Sequence, residues 1–209
     1  MSSDDFMAIF TGAHGISNGL DTILDTANLL KEKSRRDIKI VMIGAGMMKK
    51  SLIERAEREA LHNIIFHDPV DKDTLSGLMA SADVGLQILA NIPAFYYGTF
   101  PNKFFDYFSV SLTVITNYPG WIADIITENH RGHVTTLGNP EAFADVLIDL
   151  ADNRKLLLPM GNASRALAKR CFDREHLADQ FVAWVVDGRR ISHSMSIFAK
   201  PLAEKSKQS

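Results

Sequence analysis

The amino-acid sequence predicts an α/β fold, a three-layer domain in which helices cover both faces of a doubly wound parallel sheet. Two observations carry this expectation. Six strand-sized apolar runs mostly lack polar alternation, as strands buried on both faces do. Helical patterns lie between these runs, and regular alternation of strand and helix forces parallel strands joined by right-handed crossovers. In such a sheet ligands sit beyond the carboxyl ends of the strands, so the loops that follow them are where chemistry is expected.

The strands are expected at Phe6–Thr11, Ile38–Ile43, Ile64–Phe66, Asp83–Leu89, Thr113–Thr116 and His133–Thr135. Between the first two, Leu20, Ile23, Leu24, Ala27 and Leu30 recur at three- and four-residue spacing, which sets one helical face apolar. Leu52, Ala56 and Ala60 repeat the device in a more charged segment. A further helix precedes the fourth strand, with Asp71 or Asp73 as its cap, and Pro101 opens another. Beyond Asn139-Pro140, a cap followed by a first helical residue, three helices are expected at Ala142–Leu150, Leu156–Phe172 and Glu175–Val186. Asp152, Gly161 and Asp173 supply their breaks or caps. One domain, residues 6–188, accounts for all of this.

The chain has 209 residues, 46% of them apolar and 23% charged, with a formal charge of −2. That composition belongs to globular proteins rather than disordered or disulfide-stapled ones. The near-neutral charge makes nucleic acid an unexpected partner, and no apolar run reaches the ~18 residues of a membrane span. The single cysteine, Cys171, cannot form an internal disulfide and reads as a small apolar residue at a helix end. Charge is unevenly spread: residues 189–209 hold five Lys/Arg against one Glu, a net of +4, which leaves −6 for residues 1–188. This basic tail is expected to be flexible.

Four loops stand out. The first strand runs into Gly12-Ala-His14-Gly15-Ile-Ser-Asn18-Gly19, three glycines within eight residues ahead of a helix. Glycine lets backbone N–H groups approach a ligand, and a helix N-terminus favours phosphate. After the second strand, Gly44-Ala-Gly46 opens a helix with Lys49 and Lys50 in its first turn. Lysines there oppose the helix dipole and suggest an anion close by. The third loop contains His67-Asp68-Pro-Val70, where His67 reads as a structural group. The fourth, from Asn91 to Tyr107, is long and aromatic and is where a substrate would be gripped. In it Pro101-Asn102-Lys103 presents open N–H groups and one mobile cation to a phosphate, and Asp106 could accept hydrogen bonds from sugar hydroxyls.

Together these residues resemble the carboxyl-terminal, donor-binding half of a GT-B-fold glycosyltransferase, in the large family four (group 1) of retaining, nucleotide-sugar-dependent enzymes. The resemblance rests on Gly12…Asn18-Gly19-Leu20-Asp21, Ile40-Val-Met-Ile-Gly-Ala-Gly46, Ile64-Ile-Phe-His-Asp-Pro-Val70, Met79-Ala-Ser-Ala-Asp-Val-Gly-Leu86 and Pro101-Asn-Lys-Phe-Phe-Asp-Tyr107, in matching order. It implies a Rossmann-like fold and a donor site made of Gly12, His14, Gly15, Asn18, Gly44, Gly46, Lys49, Asp68, Val70, Pro101, Asn102, Lys103 and Asp106. In it the base lies against residues 68–70, the diphosphate meets the first turn and the helix opening, and Asp106 holds the ribose. The Pro-x-Lys-x-x-x-Tyr variant is similar to a bacterial branch that builds surface polysaccharides such as lipopolysaccharide, usually on polyprenyl-linked acceptors at the inner face of the cytoplasmic membrane.

The sequence departs from that family at telling places. Gly98 stands where the first of two acids eight positions apart would orient the sugar, and Ala13 and Asn18 stand where the family has Arg and Lys. Two lost cations would forfeit charge-assisted bonds of about 1.5–3 kcal/mol each, unless His14, Lys49 or Lys103 substitutes. No metal-ligand cluster and no Asp-x-Asp pair of the sort that chelates a divalent ion beside a diphosphate is read in the sequence, so no metal or other cofactor is expected, and no general base is assigned. A GT-B enzyme has two such halves, so the chain is expected to need an amino-terminal acceptor-binding domain and to transfer nothing alone. The implied setting is a cytoplasmic protein, with peripheral contact at the inner face of the membrane left to its full-length form. The alternatives are a non-catalytic nucleotide-sugar-binding or scaffold domain, and a GT-B-like nucleotide-sugar epimerase.

Overall fold

A computed structural model describes residues 1–128 and 130–187, and structural statements below concern these residues. The basic segment 189–209 lies outside them. Six parallel strands form one sheet in the order β3-β2-β1-β4-β5-β6. They are β1 (Phe6–Thr11), β2 (Ile38–Ile43), β3 (Ile64–His67), β4 (Val84–Gln87), β5 (Thr113–Thr116) and β6 (Gly132–Val134). In-register pairing of β1 with β2 runs from Phe6 opposite Ile38 to Thr11 opposite Ile43. On its other side, β1 pairs with β4 through Ala8 opposite Val84.

Helices cover both faces: α1 (Asp21–Glu32), α2 (Lys49–Arg58), α3 (Lys72–Ala80), α4 (Pro93–Gly98), α5 (Asn102–Ser109), α6 (Trp121–Glu128), α7 (Pro140–Asp152), α8 (Leu157–Cys171) and α9 (Arg174–Asp187). Successive strand residues point to opposite faces, and β1 shows it directly. Phe6, Ala8 and Phe10 join Leu24, Ala27 and Leu147 in one apolar core, while Met7 and Ile9 join Phe104, Phe108 and Ile122 in the other. Two buried faces favour apolar residues on both sides of a strand, which is why these strands read as mostly apolar runs without alternation.

Local signals act as expected at two helix starts. Asp71 caps α3 by accepting from the Thr74 amide at 2.9 Å, and Asn139 caps α7 by accepting from the Ala142 amide at 2.9 Å. Two expectations are corrected. Gly161 breaks nothing. It lies inside α8, where a side-chain Cβ would overlap the Ser111 carbonyl, so it lets the helix meet the backbone just ahead of β5. Residues 93–98 form a short helix rather than open loop.

Candidate functional site

Strand order reverses between β1 and β4, and in an open parallel sheet that is where a crevice opens at the carboxyl ends of the strands. The turn after β1, the turn after β2 and the start of α5 meet there. The two turns are sewn backbone to backbone: Gly12 N–H donates to Ile43 O and His14 N–H to Ala45 O, both at 2.9 Å, and Met48 N–H donates to His14 O at 3.0 Å.

That seam corrects the reading of two glycines. A Cβ on Gly44 would overlap the Gly12 carbonyl, and one on Gly46 would lie 2.5 Å from the His14 carbonyl oxygen. Gly44 and Gly46 are glycines because the first turn lies against them, not because a ligand must. Gly12 differs, with φ +122° and only the Lys103 side chain near, at 3.4 Å from Lys103 Cε. Gly15 has nothing within 4 Å of the place its Cβ would occupy, so this part of the turn faces open space. Asn18 turns inward: its Nδ2 donates to Ala13 O at 2.7 Å and braces the turn.

Three groups could have replaced the missing cations, and the structure separates them. Lys49 Nζ donates to Gly44 O at 2.8 Å and His67 O at 2.7 Å, and pairs with Asp68 at 2.8 Å. It is a strut between the second and third turns, and its charge is already answered. Asp68 is drawn into that strut, and the ammonium beside it holds its carboxyl below the ordinary value. His14 is fully buried among Phe10 and Phe66, and neither ring nitrogen has a partner. Burial, aided by Lys49 and Lys103, lowers its pKa to about 4, so it is neutral at pH 7 and no substitute cation.

Lys103 is the exception. Its Nζ is buried, has no hydrogen-bond partner, and sits 3.7 Å from the centre of the Phe10 ring, directly below Gly12. Burial without a counter-ion brings its pKa down to about 7. An ammonium so placed lacks only an anion, since burying a charge is costly unless it is paired.

Helix α5 positions this lysine. Pro101 is its N-cap residue, and no side chain caps it, so first-turn N–H groups at Asn102 and Lys103 are open. One turn on, Tyr107 is fully buried; its hydroxyl accepts from the Thr11 amide at 3.0 Å and donates to Ile9 O at 3.2 Å. Its ring lies on Gly85, where a Cβ would come within 2.6 Å of Cδ2. Tyr107 thus locks α5 to the end of β1 and fixes where Lys103 enters. Sequence reasoning gave Tyr107 no role; its i, i+4 spacing from Lys103 was the available signal. Asp106 is exposed, its carboxylate has no hydrogen-bond partner among the described residues, and its pKa is raised by desolvation, with Lys72 opposing. Val70 is 38% exposed beside Asp68, so residues 68–70 offer an open ledge.

The aromatic loop is packed on itself and on its neighbours. Phe100 stacks on Trp121 with centroids 4.4 Å apart, Phe105 meets Phe172, and Trp121 Nε1 donates to Thr99 O at 3.1 Å. These contacts hold the chain between α4 and α5 in place. Gly98 ends α4 with open space where its side chain would be. Beside it a hollow of about 200 Å³ is lined by Ser17, Asn18, Gln87, Leu89, Phe95, Thr99 and Pro101.

A family model described as glycosyl transferases group 1 matches residues 2–167. The chain belongs to this family. No match was found among curated proteins. The fold of this group 1 glycosyltransferase domain is shared with solved structures at low identity. A Staphylococcus aureus TarM mutant in complex with fondaparinux, α-GlcNAc-glycerol and UDP gives a TM-score of 0.72 at 16% identity, over 86% of this chain and 35% of that one. Anabaena HepE in complex with UDP-glucose gives 0.74 at 14% identity, over 88% and 49%. The C-terminal domain of LpcC from Francisella tularensis gives 0.66 at 19% identity, over 81% and 87%. The chain therefore spans between about a third and a half of the length of the TarM and HepE structures, and most of an isolated carboxyl-terminal domain.

Proposed function

We propose that this chain is the donor-binding half of a glycosyltransferase that moves a sugar from a nucleotide-diphosphate sugar to a glycan or polyprenyl-linked acceptor. The observation that carries the proposal is Lys103: a buried ammonium without a partner, beneath the first glycine turn and in the open first turn of α5. Loss of a nucleoside diphosphate from the anomeric carbon develops negative charge, and Lys103 with the open N–H groups of the turn and helix would stabilise it. The reading needs no metal. Asp106 would take the ribose hydroxyls, residues 68–70 the base, and the hollow beside Gly98 the sugar.

Transfer requires a second α/β half to carry the acceptor, in keeping with the share of the TarM and HepE chains that this one covers. Surface-polysaccharide synthesis at the cytoplasmic face of a membrane is the setting we favour, because WaaG, a glycosyltransferase involved in lipopolysaccharide biosynthesis, shares the fold with a TM-score of 0.71 at 18% identity, and the Pro101-x-Lys103-x-x-x-Tyr107 pattern is present. No helix among the described residues is long and apolar enough to cross a membrane.

Calorimetric titration with UDP, GDP and ADP tests the reading. One of the three is expected to bind with Kd in the micromolar to millimolar range, and Lys103→Met to weaken it roughly tenfold or more, the value of one charge-assisted bond. Asp106→Ala should weaken the ribonucleotide severalfold but leave its 2′,3′-dideoxy analogue unaffected. Failure of all three nucleotides to saturate at millimolar concentration would sink the proposal.

A further inference from the structure

The opposite edge of the sheet holds a second feature, unrelated to the donor site. At the amino-terminal ends of β2 and β3, the connection leaving α1 and the connection leaving α2 enclose a hollow of about 420 Å³ lined by Lys31, Arg35, Arg36, Lys39, Ala60, His62 and Asn63. Four of these seven are Lys or Arg and none is acidic, in a chain whose residues 1–188 carry −6. A volume of this size is ordinary for a small-molecule site.

Part of the charge has a structural explanation. Both helices end here, and cations complement the negative end of a helix dipole; Lys31 Nζ donates to Glu59 O at 2.7 Å, just past the end of α2. Arg35 is answered by Asp37 at 2.8 Å and Asp152 at 2.9 Å. Of the other carboxylates near these helix ends, Glu59 is held by Arg55 and Glu32 accepts from Asn28, while Glu57 is exposed. That leaves Arg36 and Lys39 with no side-chain partner among the described residues, although Lys39 is half-buried, and Lys31 with only a carbonyl. Independently, Asn63 is 6% exposed, donates through Nδ2 to Ala27 O at 2.9 Å, and keeps an Oδ1 with no donor.

We propose that this hollow binds a phosphate ester that carries a neighbouring hydroxyl. Arg36 and Lys39 without side-chain partners, together with Lys31 held by a carbonyl alone, overshoot a single carboxylate but suit a phosphate, which carries about −1.5 to −2 as a monoester at pH 7. Asn63 Oδ1 supplies the acceptor for a hydroxyl on the same ligand. The shared chemistry fits a soluble polyol phosphate or a glycerophosphate lipid headgroup.

The test titrates the full chain with glycerol 3-phosphate and follows backbone amide signals by NMR. Saturable shifts are expected at residues 34–39 and 60–63, weakened roughly tenfold or more in the Arg36→Gln/Lys39→Gln double variant. Neither side chain makes a bond in the fold, so the melting temperature of that variant should be unchanged. Co-sedimentation with phosphatidylglycerol vesicles, compared with phosphatidylcholine vesicles, identifies the source. Sedimentation that the double variant loses assigns the phosphate to a headgroup rather than to the basic segment 189–209, which the variant keeps; otherwise the saturable ligand is soluble. The proposal is overturned if sodium chloride of equal ionic strength reproduces the shifts, or if the double variant binds as the wild type does. Nucleotide affinity should not change in the double variant, so this site and the donor site fail separately.

Discussion

The turn after β1 and the turn after β2 are built from the same materials, glycines at a strand end with a lysine nearby, yet their lysines do opposite things. Lys49 has two carbonyls and a carboxylate around its ammonium. Lys103 has an aromatic face and nothing else. A lysine with three partners contributes to the fold whether or not a ligand arrives. One with none weakens the fold until an anion comes, and then binds that anion with a charge-assisted bond in a dry site. A cation beside a glycine turn therefore says little about binding until its partners are known.

The glycines divide in the same way, and they give the largest expected effect. Gly44→Ala should destabilise the chain by about 2–4 kcal/mol, because its Cβ meets the Gly12 carbonyl and neither backbone can retreat. Gly12→Ala places its Cβ against the flexible end of Lys103. Only its positive φ counts there, for about 1–2 kcal/mol. Urea unfolding of both variants measures the difference. Equal losses would mean that the seam between the turns does not constrain Gly44.

Next in size is the lysine pair. Lys49→Met should lower stability by about 1–2 kcal/mol, as its three partners lose their donor, and should change nucleotide affinity less than Lys103→Met does. Lys103→Met should leave the unliganded chain as stable at pH 7 or more so, since it removes a buried group without a partner. If Lys103→Met proved the more destabilising of the two, the contrast drawn between them would be wrong.

Much of this architecture was legible in the sequence, and the reasons are local. β1, β2 and β5 begin and end where their strand-sized runs do, because two covered faces favour apolar residues, with Lys39 near the start of β2 and threonines at strand ends as the polar members. β4 is shorter than its apolar run, which continues into buried residues Ile88 and Leu89 after strand pairing has stopped. Helix α4 was hidden by its six-residue length and by its ending in glycine, a residue that reads as loop. At the candidate site, the sequence named Gly12, Lys49, Lys103 and Asp106 alike and could not tell a strut from an open cation. The carbonyls that occupy Lys49 come from residues 44 and 67, and only the fold brings them together. The same limit made His14 a candidate cation. Nothing in its neighbours along the chain announces that Phe66 will close over it.

The smallest effect is the most specific to Lys103. Its folded pKa of about 7 lies below the ordinary lysine value of 10.5, so between those two pH values the unfolded chain binds the proton more tightly. Stability should then rise with pH across that window, with the full penalty of the buried charge present below pH 7 and removed as the ammonium loses its proton. From pH 7 to pH 8 the gain is about 1 kcal/mol, from a slope approaching ~1.4 kcal/mol per pH unit. Lys103→Met should lack it, so the stability difference between wild type and variant should shift by that amount. A bound nucleoside diphosphate should abolish the slope in the wild type by restoring the protonated lysine. Binding should then take up close to half a proton per site at pH 7, read as a dependence of the calorimetric enthalpy on buffer ionisation. An enthalpy independent of buffer, or a slope that survives in Lys103→Met, would remove Lys103 from the diphosphate.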